Sequence, residues 1–242
     1  MKVWILAVAI VIDALSNNPV SAQQLNIDFG DDQVFSGRVF QMIALVTVIS
    51  LAPSLLIVTT SFTRIVIVLS LMRSAIGVQQ APPNTVLVGL ALFLTAFVMA
   101  PTFEKAYKNG LLPLINQEIS EEEAFNRTVE PVHEFMMGMV REKDLALFLN
   151  LAQVERPSTP EETPLRALVP AFMISELKRA FEIGFLIFVP FLVIDMVVAS
   201  VLMSMGMMML PPIMVSLPFK LIFFVLVDGW HLITSSLVQS FG

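Results

Sequence analysis

Near its carboxyl end this chain places charge inside runs that are otherwise apolar enough for lipid. Residues 183–200 are interrupted by Asp195, and residues 214–241 by Lys220 and Asp228. A charge at the centre of a membrane-depth helix costs about 2.5–3.5 kcal/mol on insertion scales, so these three groups must be paired or shielded. Between the two runs lies VLMSMGMMMLPP, residues 201–212. Gly206 tolerates left-handed dihedrals and Pro211–Pro212 supply no N–H, so helices can stop at Gly206 and at the proline pair. The pattern predicts a hairpin. Asp195 lies eleven residues before Gly206 and Lys220 eight after Pro212. At about 1.5 Å per residue the two share a depth measured from the tip, where antiparallel arms can pair them; Asp228 lies about 12 Å further on. Two uses of these charges stay open. They fix an assembly, within or between subunits, or they form a proton or ion relay; the set is sparse for a relay and no inverted repeat is visible.

The tip itself is rich in methionine. Met207, Met208 and Met209 are consecutive, with Met203 and Met205 just before. Thioether side chains are unbranched and polarizable, and fill irregular or changing spaces. Packing in an apolar core is one reading. Three consecutive residues point in three directions, however, so a deformable collar is the sharper expectation.

Composition agrees with a membrane setting. Of 242 residues 56% are hydrophobic and 14% charged, against about 45–50% and about 25% in ordinary soluble domains. A net charge of −6 argues against nucleic acid, which demands clustered Lys and Arg. The chain has no cysteine, which excludes a disulfide framework, a thiolate metal site and a Cys nucleophile.

Residues 1–22 read as a secretory signal peptide: Lys2, then ten apolar residues, then Val20-Ser21-Ala22 as a small-x-small cleavage site. Cleavage is expected between Ala22 and Gln23. Residues 23–38 are polar and acidic and are expected on the outer, periplasmic side. Residues 39–63 hold no charge and are long enough to span. Arg64 and Arg73 follow with no acidic residue before Glu104, and read as a short basic cytoplasmic loop under the positive-inside bias. Arg64, at the edge of the first span, also joins Asp195, Lys220 and Asp228 as a charge expected to serve assembly. A second apolar run, residues 85–100, is expected to close at Pro101.

Residues 101–175 hold 19 of the 34 charged residues. An apolar stripe in residues 132–151 predicts helix, and Pro157, Pro160 and Pro164 mark a loop. Lys178 and Arg179 are flanked by Glu176 and Glu182, a locally compensated cluster. The expected fold is all-α. Four apolar helical segments form membrane-associated hairpins, with a helical, charged periplasmic domain between the second and third. The divisions are residues 1–22, 23–38, 39–100 (first hairpin), 101–182 (periplasmic domain) and 183–242 (second hairpin with the Met-rich tip).

Catalytic motifs are sparse. His133-Glu134 opens a zinc-protease pattern, but Met137 stands where the second His belongs. No nucleophile elbow or P-loop is present in the sequence. The expectation is a non-enzyme with no cofactor and no metal.

The segments SLAPSLLIVTTSFTRIVIVLSLMRSAIG, PPNTVLVGLALFLTAFVMAPTF, PFLVIDMVVASVLMSMGMMMLPP and LPFKLIFFVLVDGW closely resemble the FliP family, which includes inner-membrane components of virulence type III secretion. The resemblance covers residues 51–242, and the signal peptide favours the flagellar branch. It implies a structural pore subunit: five copies completed by FliR and surrounded by FliQ. They form, with membrane proteins such as FlhB, the export gate of the flagellar basal body in the bacterial inner membrane. Unfolded flagellar proteins pass through, and both mature termini are periplasmic. By the same resemblance Met207, Met208 and Met209, with Met205 a weaker candidate, form a gasket in the channel. The alternative reading is a proton-coupled transporter using Asp195 and Asp228.

Overall fold

The computed structural model describes residues 32–78, 81–207 and 209–242. The signal peptide and its Ala22/Gln23 junction lie outside the described residues, as does Met208. Among the described residues every regular element is helical, without a strand. Two compact units are present, residues 1–50 and 51–242. In the first, the described part is the beginning of helix α1, Asp32–Thr59.

The second unit contains the rest of α1 and then α2, Phe62–Ile76. Ser61 and Thr60 break the chain between them, with the Thr60 hydroxyl donating to the Leu56 carbonyl at 2.7 Å. Helix α2 is the centre of this unit. Ile65, Val68, Leu69 and Met72 recur at three- and four-residue spacing and all are fully buried. Arg64 and Arg73 therefore stand on a helix, not in the basic loop that their charge suggested. The charge signal misled because it assumes water around an arginine, whereas Arg64 has a buried partner elsewhere in the chain.

Helix α3, Asn84–Ala106, passes through Pro101, a π-helical turn at Tyr107–Leu111 and the short α4, Leu112–Ile115. The expected stop at Pro101 does not occur. A proline inside an apolar helix is tolerated where neighbours and local adjustment re-satisfy the freed backbone. The charged middle of the chain folds as α5, Glu121–Met139, and α6, Glu142–Leu151, followed by an irregular segment with a 3-10 turn at Pro160–Glu162. The single stripe expected over residues 132–151 is split where Val140 and Arg141 become extended. Ser120 caps α5 by accepting from the Glu123 N–H, with Glu121, Glu122 and Glu123 in the first turn, where carboxylates favour the helix dipole.

Helix α7, Leu165–Ser204, is 40 residues long and includes Pro170 and Pro190. It packs most extensively on α2. Gly184 marks their close approach, since a Cβ there would lie 2.3 Å from Leu71 Cδ1. The final arm is broken into α8, Pro212–Leu226, and α9, Gly229–Gln239, bent by 62°. By length and composition, two helical stretches among the described residues suffice to cross a membrane, Asn84–Ile115 and Leu165–Ser204, and the bent pair α8–α9 makes a third if counted as one span.

Candidate functional site

The arms of the hairpin are α7 and α8. The end of α7 is closed by two backbone bonds: the Gly206 N–H donates to the Met203 carbonyl at 3.1 Å and the Met207 N–H to the Leu202 carbonyl at 3.0 Å. With Gly206 at φ +74°, this is a Schellman cap, which needs a left-handed residue where glycine carries no Cβ penalty. On the other side Pro212 opens α8, the first helical position being one at which a missing N–H costs nothing. The tip between them is thus fixed at both ends. Met205, Met207 and Met209 project from it with 63%, 44% and 98% of their surface exposed.

Below the tip the arms are braced by charge. Lys220 Nζ lies 2.6 Å from Asp195 Oδ2, at the shared depth that the spacing from the tip predicts. The Ser216 hydroxyl donates to Asp195 Oδ1, and Lys220 also donates to the Ala75 carbonyl at 3.3 Å. The last contact carries the lysine to the carboxyl end of α2, where exposed carbonyls and the helix dipole favour a cation. The only sequence signal for Ser216 is its position one helical turn from Lys220, which puts it on the same face. Asp228 is not part of this brace. It sits in the bend between α8 and α9 with φ 50°, exposed, its side chain capping no helix.

A second polar centre joins distant parts of the second unit. Arg64 Nε donates to Glu176 Oε2 at 2.7 Å, and Nη2 donates to Oε1. Arg64 Nη1 donates to the Ser240 carbonyl at 3.0 Å and to its hydroxyl at 2.9 Å. Phe241 covers the guanidinium with its ring centroid 3.7 Å from Cζ. Phe241 also stacks on Phe135 of α5 at 6.3 Å. Both side chains of the ion pair are sealed, with 1% and 0% of their surface exposed. Glu176 is therefore committed to Arg64, and Lys178 instead pairs with Glu182 at 3.0 Å.

Next to Glu176, Ser175 starts a third group. Its hydroxyl lies 2.6 Å from Asp144 Oδ2 and accepts from the Arg141 N–H at 3.0 Å. Burial by itself pushes the Asp144 carboxyl up, but the hydrogen bonds from Ser175 and Arg141 and the arginine charge outweigh it and hold the group below its ordinary value. His133, the start of the failed zinc pattern, hydrogen-bonds the Thr163 carbonyl at 2.7 Å.

Apolar helices of spanning length, a charge-braced hairpin and a methionine tip define a helical membrane protein in which the Arg64, Asp195 and Asp144 centres tie its own helices together. Comparison with known proteins gives its kinship. The model of the FliP family matches residues 45–237, and the chain belongs to that family. It is 64% identical over 217 residues to the flagellar biosynthetic protein FliP of Caulobacter vibrioides, covering 90% of this chain and 82% of that protein. It is 57% identical to the protein of the same name from Bacillus subtilis, covering 90% and 98%. Identity to the Agrobacterium fabrum protein of that name is 47%, over 98% of this chain and 97% of the relative.

Proposed function

We propose that this chain is a structural pore subunit of the flagellar type III protein export gate in the bacterial inner membrane. Several copies, five by the family resemblance, assemble with FliR and FliQ, beside membrane proteins such as FlhB, and pass unfolded flagellar proteins. Four apolar segments form the hairpins, the charged middle is periplasmic, and the methionine tip closes the channel. The observation that carries this reading is the exposed tip, held at both ends by helix caps and braced below by Asp195 and Lys220. A seal must exclude ions yet admit many sequences. Flexible uncharged thioethers close by van der Waals contact and re-form around varied chains, whereas rigid or charged groups bind some sequences too well.

The transporter alternative needs Asp195 free to exchange protons. Its engagement by Lys220 and Ser216 favours a bracing role instead. Replacement of Met207, Met208 and Met209 by Ala tests the reading: the complex with FliQ and FliR is expected to assemble at normal native mass while the membrane becomes leaky to small ions. An intact seal in that variant overturns it.

A further inference from the structure

At the joint between α1 and α2, two hydroxyls have a claim on one carbonyl. We infer that this joint is a two-state hinge, in which Thr63 and Ser61 compete for the Ile57 carbonyl oxygen. The winner decides whether α1 and α2 stand broken apart or run on as one helix. The groups involved lie inside the subunit, and the hinge does not depend on the sealing role proposed above.

Helix α1 ends at Thr59 and α2 begins at Phe62. Across the break the Thr63 hydroxyl donates to the Ile57 carbonyl at 3.0 Å. Six residues of straight helix rise about 9 Å, so this bond exists only where the chain turns, and it holds the broken form. Thr60 supports the same form: its hydroxyl donates to the Leu56 carbonyl and its oxygen accepts from the Phe62 N–H at 3.4 Å. Ser61 is left over. It is 0% exposed, and its hydroxyl has no partner within the chain. Enclosed by its own chain, it gains none from a neighbouring subunit packed against this one.

The partner that Ser61 lacks is the one other helical hydroxyls of this molecule take. Thr47, Ser50, Thr59, Ser74 and Thr95 each donate to the carbonyl four residues back, a usual bond for a hydroxyl on a helix. For Ser61 that carbonyl is Ile57, which Thr63 occupies. Extending α1 through Thr60 and Ser61 into α2 carries Thr63 out of reach of Ile57 and brings the Ser61 hydroxyl onto it. The two forms exchange one hydroxyl bond for another. The orphan burdens the broken form alone, because a buried polar group without a partner carries its full desolvation penalty. Ile65, Val68, Leu69 and Met72 anchor α2 in the core, so it is the carboxyl end of α1 that changes direction.

The chain has no cysteine, so Ser54→Cys on α1 and Ser74→Cys on α2, both exposed, carry the only two spin labels. Pulsed electron paramagnetic resonance then reads their separation in the full chain, reconstituted in lipid at low density. A continuous helix places the two positions about 30 Å apart, and the broken form brings them closer. Both distances are expected in this doubly labelled chain, with the shorter in excess. Ser61→Ala removes the orphan from the broken form and the hydroxyl bond from the continuous one, and is expected to deplete the long distance roughly tenfold. Thr63→Val keeps the shape and removes the bond across the break, and is expected to enrich the long distance roughly threefold. Opposite shifts from two deletions of a hydroxyl are what competition for one carbonyl requires. A single distance, the same with and without either replacement, overturns the inference. So do shifts of both variants in the same direction, which mark a break weakened by any change rather than a contest between two groups.

Discussion

Arg64–Glu176 and Lys220–Asp195 are both ion pairs in apolar surroundings, yet their surroundings differ in kind. The first is sealed on both sides, at 1% and 0% exposure, while in the second Asp195 keeps 27% of its side chain exposed. The first joins residues 112 apart in sequence and is closed over by Ser240 and Phe241. The second joins residues 25 apart on two arms of one hairpin. A sealed pair contributes little net attraction after desolvation, but breaking it leaves an uncompensated buried charge. A partly open pair loses less when its buried lysine is the one removed, because water reaches the surviving Asp195. The comparison separates a pair that holds the second unit together from one that sets how two arms lie.

The largest effect is expected for Arg64→Ala, which strands Glu176 at 0% exposure. Loss of about 3–5 kcal/mol should appear in the unfolding of the detergent-solubilised protein. Arg64→Lys should fail to restore stability, since an ammonium cannot reproduce a fork that serves both Glu176 oxygens and Ser240 at once. A lysine variant as stable as the parent would make the site a simple charge balance.

Lys220→Met should cost less, about 1–3 kcal/mol, the penalty for leaving a hydrogen-bonding group without its partner. Asp195→Asn keeps the shape and removes the charge. Its expected signature is loss of the large complex on native gels together with destabilisation of the subunit, because Lys220, 6% exposed, is left without its counter-charge. Equal destabilisation by Arg64→Ala and Lys220→Met would erase the distinction between the two pairs.

Gly184→Ala sharpens the comparison by asking whether backbone proximity, rather than charge, joins α2 to α7. The added Cβ meets Leu71 Cδ1 at 2.3 Å and its Cβ at 3.2 Å. The leucine end can turn aside, so a cost of about 1 kcal/mol is expected from overpacking, again by unfolding.

The smallest effect concerns pH. The Asp144 carboxyl is depressed in the folded chain, so its contribution is complete above the unfolded value of about 3.9 and is lost as pH falls through the lower folded value. Asp144→Asn should abolish that part of the acid dependence of unfolding while leaving the behaviour above pH 5 flat, by roughly one unit of margin from the unfolded value.

Much of this was legible in the sequence, and the failures have common causes. The helical class follows from long apolar runs, and the Asp195–Lys220 contact from similar distances, eleven and eight residues, to a tip marked by Gly206 and Pro212. Arg64–Glu176 was not legible. No local periodicity relates residues 112 apart, so from sequence alone Arg64 is a charge at a basic turn that serves assembly without a named partner, and Glu176 is a neighbour of Lys178. Pro101 reads as a terminus in the sequence because its missing N–H is a local fact, while the packing that tolerates it is not. Asp228 resembles Asp195 as a charge within an apolar run, but a left-handed backbone at a 62° bend sets it apart from the brace. The sequence likewise exposed the methionine cluster but not the Schellman bonds that hold it outward.

The Arg64 centre also bears on the order in which the molecule comes into being. Arg64 emerges from the ribosome early, Glu176 more than a hundred residues later, and Ser240, whose carbonyl and hydroxyl complete the guanidinium's hydrogen bonds, later still. Until residue 240 has been synthesised, Nη1 must find its partners in water or lipid headgroups, and the interior around α2 cannot close dry. Completion of this core is thereby tied to the synthesis of residue 240. A chain stopped before residue 240 keeps a guanidinium with Nη1 unsatisfied beside α2, even after Glu176 has engaged Nε and Nη2.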